Sequence, residues 1–166
     1  MNPVNLDDIR DAASLLDGVI RHTPSLSAGW IEKKYGVNVS FKCENLQRAG
    51  SFKIRGAYNR IARLSDTERA RGVVAASAGN HAQGVALAAQ ILGIKATIFM
   101  PEGATLPKYQ ATLGYGATVK FHGKTIDEAL MAASEFSNET GAVFIHPFDH
   151  EHIVAGQGTM GLEILE

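Results

Sequence analysis

Val37-Asn38-Val39-Ser40-Phe41-Lys42 alternates apolar and polar positions as a half-buried strand does. Phe52 to Leu64 then changes period: Ile54, Ala57, Tyr58 and Ile61 recur at helical spacing and form one stripe. Upstream, the segment from Asn5 or Leu6 to Leu16 reads as a helix, with Asp7 and Asp8 in the first turn where the helix dipole favours anions. His22-Thr23-Pro24-Ser25 reads as a loop.

From Gly72 onward the pattern is regular. Gly72–Ala76 is predicted as a buried strand and Asn80–Leu92 as a helix ended by Gly93. Ala96–Met100 is a strand stopped by Pro101, and Pro107–Leu113 a helix whose proline is tolerated only in the first turn. Thr118–Phe121 is a strand, Thr125–Glu139 a helix, and Ala142–Ile145 a strand before Pro147. Strands and helices alternating at these lengths predict an α/β fold, an open parallel sheet flanked by helices. Gly161–Glu166 reads as a helix just beginning, with Glu163 and Glu166 where the dipole disfavours them. That ending suggests the N-terminal portion of a longer protein.

Composition narrows the classes. The 166 residues fit one domain with a real core, at 45% hydrophobic and 20% charged. Sixteen basic against seventeen acidic residues give a net charge of -1, which offers no field for nucleic acid or an anionic membrane. Cys43 is alone, so an intrachain disulfide is impossible and a reducing compartment fits. With no apolar leader and no run long enough to span a bilayer, a cytoplasmic protein is expected.

Two runs carry chemistry. In Ser51-Phe52-Lys53-Ile54-Arg55-Gly56-Ala57-Tyr58-Asn59, Lys53 stands at the opening turn of a helix, within about 40° of Ala57 at ~100° per residue, a half-buried address. A free lysine titrates near 10.4; partial desolvation, a helix N-terminus and Arg55 close by would disfavour the ammonium and make the amine a nucleophile. The bland alternative is a snorkelling surface lysine. In Ser77-Ala78-Gly79-Asn80-His81-Ala82-Gln83-Gly84, a strand gives way to a helix through a turn that aims free N–H groups at an anion. Gly79 admits close approach, and Ser77, Asn80 and His81 add side-chain donors. Simple capping explains one Ser or Asn, but not Gly, Asn and His in succession.

On these runs the chain resembles the threonine/serine dehydratases (ammonia-lyases) of the fold type II pyridoxal 5'-phosphate enzymes. The likeness extends to His22-Thr23-Pro24, Lys42-Cys43-Glu44-Asn45-Leu46-Gln47, Met100-Pro101-Glu102-Gly103-Ala104 and Val154-Ala155-Gly156-Gln157-Gly158-Thr159. Cys43 departs from it, since arginine or phenylalanine is more usual there. The resemblance covers about His22 to Glu166. It implies that Lys53 holds pyridoxal 5'-phosphate covalently, that Phe52 packs beside the cofactor ring and that Asn80 bonds the ring hydroxyl. Ser77, Gly79, Asn80 and His81 would hold the substrate carboxylate. It further implies deaminating dehydration of L-threonine and L-serine to a 2-oxo acid and ammonia, a role in threonine catabolism or isoleucine biosynthesis, and a homo-oligomer at full length.

The same resemblance divides the chain into residues 1–45, belonging to a large domain, a small α/β domain at 46–150, and a return to the large domain at 151–166. Cysteine synthases resemble Ser-Val-Lys-Asp-Arg at the lysine and Thr-Ser-Gly-Asn-Thr at the turn, unlike this chain. Serine racemases carry a second serine where this chain has Ala78, which cannot relay a proton. The family's glycine-rich phosphate loop and its partner for the pyridine nitrogen do not occur before Glu166, so the chain alone is expected to be incomplete. A non-catalytic small domain that binds an amino acid or a partner, or a racemase-like relative, is the alternative.

Other signals carry less. Gly156-Gln157-Gly158-Thr159-Met160-Gly161 matches G-x-G-x-x-G, but follows Pro147 and a polar turn, so no dinucleotide site is expected. Asp149-His150-Glu151-His152 reads as a solvated loop; adjacent residues cannot converge on one metal ion, and none is expected. The alanine-rich helix Asn80–Leu92 is explained by close packing on the sheet.

Overall fold

In the computed structural model, which describes residues 3–166, the chain begins with α1 (Leu6–Leu16). Asn5 caps it: the Asn5 carboxamide oxygen accepts from the Asp7 and Asp8 amides, and Asp8 accepts in return from the Asn5 amide. A short antiparallel pair follows, β1 (Ser25–Ser27) and β2 (Ser40–Lys42), with α2 (Gly29–Tyr35) between them. The strand expected over 37–42 is therefore shorter, and the loop expected to run through Ser25 ends at Pro24. Two single 3-10 turns, Glu44–Leu46 and Arg48–Gly50, lead into α3 (Lys53–Ala62).

Next come α4 (Asp66–Arg71), β3 (Val73–Ala76), α5 (Asn80–Leu92), β4 (Ala96–Met100) and α6 (Leu106–Gly114). The chain continues through β5 (Thr118–Phe121), α7 (Ile126–Thr140), β6 (Val143–Phe144) and α8 (Glu151–Leu165). The second sheet is parallel throughout, in the order β5-β4-β3-β6. This is the predicted α/β architecture, and from β3 to α7 most boundaries fall within a residue of those read from the sequence.

Alternation along β3 divides the core. Val73 and Ala75 join Ile98, Met100, Val85, Ala89, Ile54 and Ile153 on the face covered by α3, α5 and α8. Val74 and Ala76 join Phe99, Ala129, Ala132 and Ala133 under α7. Ala82, Ala86, Ala88 and Ala89 are all buried, so small side chains let α5 lie close between sheet and neighbouring helices.

The end of the chain differs from expectation. Helix α8 starts at Glu151, not near Gly161, and His150 caps it by accepting from the His152 amide on Nδ1. Asp149–His152 is thus a helix entrance. The G-x-G pattern lies within α8 and serves packing. A Cβ on Gly156 would come 2.6 Å from the Arg55 carbonyl oxygen, and one on Gly158 2.9 Å from Ile9 Cδ1. Opposite, a Cβ on Gly56 would sit 2.9 Å from the Ile153 carbonyl oxygen. Helices α3 and α8 cross glycine on glycine. The two glutamates are not stranded: Glu163 pairs with Arg55 and Lys42, and Glu166 meets His22 Nε2 at 2.9 Å. Among the described residues, no helix is long and apolar enough to cross a membrane.

Candidate functional site

The strand order reverses at β3: the chain runs outward through β4 and β5, then returns to place β6 on the other side of β3. Helix α5 leaves β3 on one face, and α7 precedes β6 on the other. The crevice beyond the carboxyl ends of β3 and β6 is where open parallel sheets hold ligands. Both sequence runs converge there.

Beyond β3, Ser77-Ala78-Gly79 turns into α5. Ser77 Oγ accepts from the Gly79 amide at 3.1 Å, which shapes the turn and leaves the hydroxyl proton free to donate. The amides of Asn80, His81 and Ala82 open the helix and have no earlier carbonyl within it to bond. Gly79 has φ -146, an extended value open to any residue, so its glycine matters for room. Nothing lies within 3.8 Å of the position a Cβ would take. Asn80 is exposed at the mouth.

His81 does something the sequence did not reveal. It is 5% exposed, and its Nε2 lies 2.9 Å from the Ile145 carbonyl oxygen, just past β6. The ring thus ties the two strand ends together, and the amide of His81 is what remains for an anion. Burial, together with the charge of Lys53 and His146, pushes its pKa down to about 4, against the support of the Ile145 carbonyl.

A group whose folded pKa lies below its unfolded value stabilises the fold above the unfolded pKa, and the contribution is lost as pH falls. From about pH 6.5 down to 4, protonation of His81 in the unfolded chain should remove up to about 3 kcal/mol. His150 and His152, also lowered chiefly by burial, act in the same direction. Denaturant unfolding across that range should show a steeper loss in the wild type than in His81→Gln. Equal slopes would remove His81 from the account.

Lys53 opens α3, half-buried, and donates from Nζ to the Pro147 carbonyl oxygen at 2.8 Å. Its Nζ is 5.1 Å from the Phe52 ring centroid. Desolvation lowers its pKa, so more free amine is present at neutral pH than on an exposed lysine. The expected help from Arg55 is absent: that guanidinium turns the other way, into the core. Lys53 meets the carboxylate run through glycine, since a Cβ on Gly84 of α5 would lie 3.0 Å from the Lys53 carbonyl carbon.

What fixes the start of α3 is a closed ring of buried polar groups. Arg55, fully buried, donates from Nε and Nη2 to both oxygens of Glu44 at 2.8 Å. It also donates to Glu163 from Nη1 at 2.6 Å and from Nη2 at 3.0 Å, and to Thr159 Oγ1 at 3.1 Å. Lys42 Nζ pairs with Glu163 at 2.5 Å and donates to the Thr23 carbonyl at 2.5 Å; Thr23 Oγ1 closes the ring on Glu44 at 2.7 Å. Burial alone would push the guanidinium's pKa down, but the bonds and charges of Glu44 and Glu163 outweigh it and hold it up. Burial pushes Glu163 the other way, upward, and Arg55 and Lys42 bring it below the usual carboxylate range. No spacing rule in sequence links residues 42, 44, 55 and 163.

A half-desolvated amine beside an open helix N-terminus suits a cofactor bearing a carbonyl, and an anionic substrate. A family model described as pyridoxal-phosphate dependent enzyme matches residues 16–166. The chain belongs to that family. Among relatives of this pyridoxal-phosphate dependent family, it is 55% identical to the L-threonine ammonia-lyase of Thermotoga maritima over 163 residues, 98% of this chain and 41% of that protein. It is 48% identical to the catabolic L-threonine dehydratase of Staphylococcus aureus over 164 residues, 98% of this chain and 47% of that one. The chain thus spans less than half the length of these relatives.

Among solved members, maize serine racemase superposes with a TM-score of 0.93 at 40% identity, over 98% of this chain and 49% of that one. Threonine deaminase isoform 2 of Solanum lycopersicum does so with 0.87 at 41%, over 98% and 47%.

Proposed function

We propose that this chain carries the lysine and the carboxylate turn of a pyridoxal-phosphate dependent ammonia-lyase, which converts L-threonine and L-serine to a 2-oxo acid and ammonia. The observation that supports it most is Lys53, partly desolvated and held at the carboxyl end of β6, next to the open N-terminus of α5. When bound, pyridoxal phosphate supplies the electron sink that an amino acid's Cα carbanion needs.

The chain's own groups do the rest. Lys53 Nζ would hold the cofactor, and its amine would take the Cα proton. The Ser77 hydroxyl and the amides of Asn80 and His81 hold the carboxylate, around the room left at Gly79. Phe52 would pack beside the cofactor ring, and Asn80 would bond its hydroxyl. The β-hydroxyl leaves as water, and water returns on hydrolysis, so the balance is one 2-oxo acid and one ammonium per substrate.

Residues 46–150 form the small domain on this reading, with 1–45 and 151–166 belonging to a larger one that supplies the phosphate cup. A cytoplasmic homo-oligomer acting in threonine catabolism or isoleucine biosynthesis completes it. The serine racemases that superpose so well make racemisation the second reading. Ala78 speaks against it, since a methyl cannot exchange a proton at the opposite face of Cα.

The test is the intact protein incubated with pyridoxal phosphate and with threonine, serine or their D-isomers. Ammonia and 2-oxo acid should appear in equal amounts from the L-substrates. Interconversion of isomers without ammonia would favour the racemase, and neither outcome would end both readings.

A further inference from the structure

Helix α6 holds a lysine whose placement is electrostatically wrong for a bystander. Tyr109 anchors the helix, its ring 5.2 Å from that of Phe121 and packed against the main core. Thr112, fully buried, donates from Oγ1 to the Lys108 carbonyl at 2.9 Å. The backbone at Lys108 is thereby fixed although its side chain is exposed.

That side chain reaches the turn after β3. Its Nζ lies 3.8 Å from the position a Cβ on Gly79 would occupy, with Ser77 Oγ next at 4.0 Å. Lys108 takes part in no ion pair among the described residues. An ammonium at the N-terminus of a helix faces the positive end of its dipole, the reverse of the favourable arrangement. The juxtaposition becomes favourable once an anion lies between ammonium and amides.

We propose that Lys108 is the charged member of the carboxylate subsite: its ammonium pairs with the α-carboxylate of an amino acid seated on the Ser77–His81 turn, and selects free amino acids over their α-amides, which lack the negative carboxylate. This rests on the carboxylate assignment given to that turn above. Lys108 contacts neither Cα nor the amine that attacks, so it sets binding and discrimination, and Lys53 still carries the proton.

The experiment uses the intact protein loaded with pyridoxal phosphate and titrated with L-alanine, which has no β-hydroxyl to lose, and with L-alaninamide, each followed by cofactor absorbance. In Lys108→Met, the Kd for L-alanine should rise at least about tenfold, while that for L-alaninamide and that for the cofactor stay within about twofold. Lys108→Arg should keep most of the discrimination. Equal shifts for both ligands, no shift for either, or a loss of cofactor affinity in place of alanine affinity would overturn the proposal. A wild type that responds to alanine yet releases no ammonia from threonine or serine fails the lyase reading alone. A wild type with no response to either ligand overturns both.

Discussion

Lys53→Ala should lower ammonia release by about 10⁴-fold or more in the intact protein, because on the proposed reading one amine both anchors the cofactor and moves the Cα proton. Stability should change little, since the side chain is half-exposed and gives up one bond, to the Pro147 carbonyl. The same variant settles which amine reacts. Lys108 Nζ also lies at this crevice, but it is exposed, whereas burial lowers the pKa of Lys53. Borohydride reduction of the protein with pyridoxal phosphate, followed by peptide mapping, should place the adduct on Lys53. In Lys53→Ala that adduct should vanish and not move to Lys108. Turnover retained at more than a hundredth of wild type would remove Lys53 from catalysis, whatever the mapping shows.

Arg55→Met is expected to be the most damaging single change to the fold. The methionine fills much of the volume, so the loss reports charge and not cavity. It leaves Glu44 and Glu163 facing one another in a buried space, with Lys42 as the only remaining cation of the ring. Breaking a buried pair in this way costs about 3–5 kcal/mol. In urea that is a midpoint lower by more than about 1 M. The triple variant Arg55→Met, Glu44→Gln, Glu163→Gln should recover part of the loss, because unpaired charge costs more than unpaired amide. A single-variant cost below about 1 kcal/mol would mean that water reaches the ring. Because Arg55 lies two residues after Lys53, cofactor trapping on Lys53 should weaken in step with stability.

Local chemistry made the αβ repeat legible: β3, α5 and β4 announce themselves by buried runs and by Gly93, which takes φ 67 at the end of α5. The short pieces were harder. Helix α4 carries a reciprocal cap between Ser65 and Glu68, a spacing visible in the sequence that would have found it. Helix α2 has no side-chain cap and buries none of its residues, so it left no signature. In α8, Gly156 is demanded by α3 and Gly158 by Ile9 of α1, reasons that exist only across those interfaces. For the candidate site, both runs were legible because each is contiguous. The roles of Arg55, the Pro147 carbonyl and Lys108 depend on partners far along the chain, and His81 looked like a donor to ligand until its ring was found bound to Ile145.

The buried ring also sets an order of events during synthesis. Arg55 is 11 residues from Glu44 but 108 from Glu163. At about 5–20 residues per second, roughly 5 to 20 s separate the emergence of the guanidinium from that of its second carboxylate. Through that interval α3 has one anion where its finished surroundings hold two, and it lacks the glycine face of α8 to lie against. The lysine on which the site turns is thus among the earlier residues made and among the last to be fixed in place.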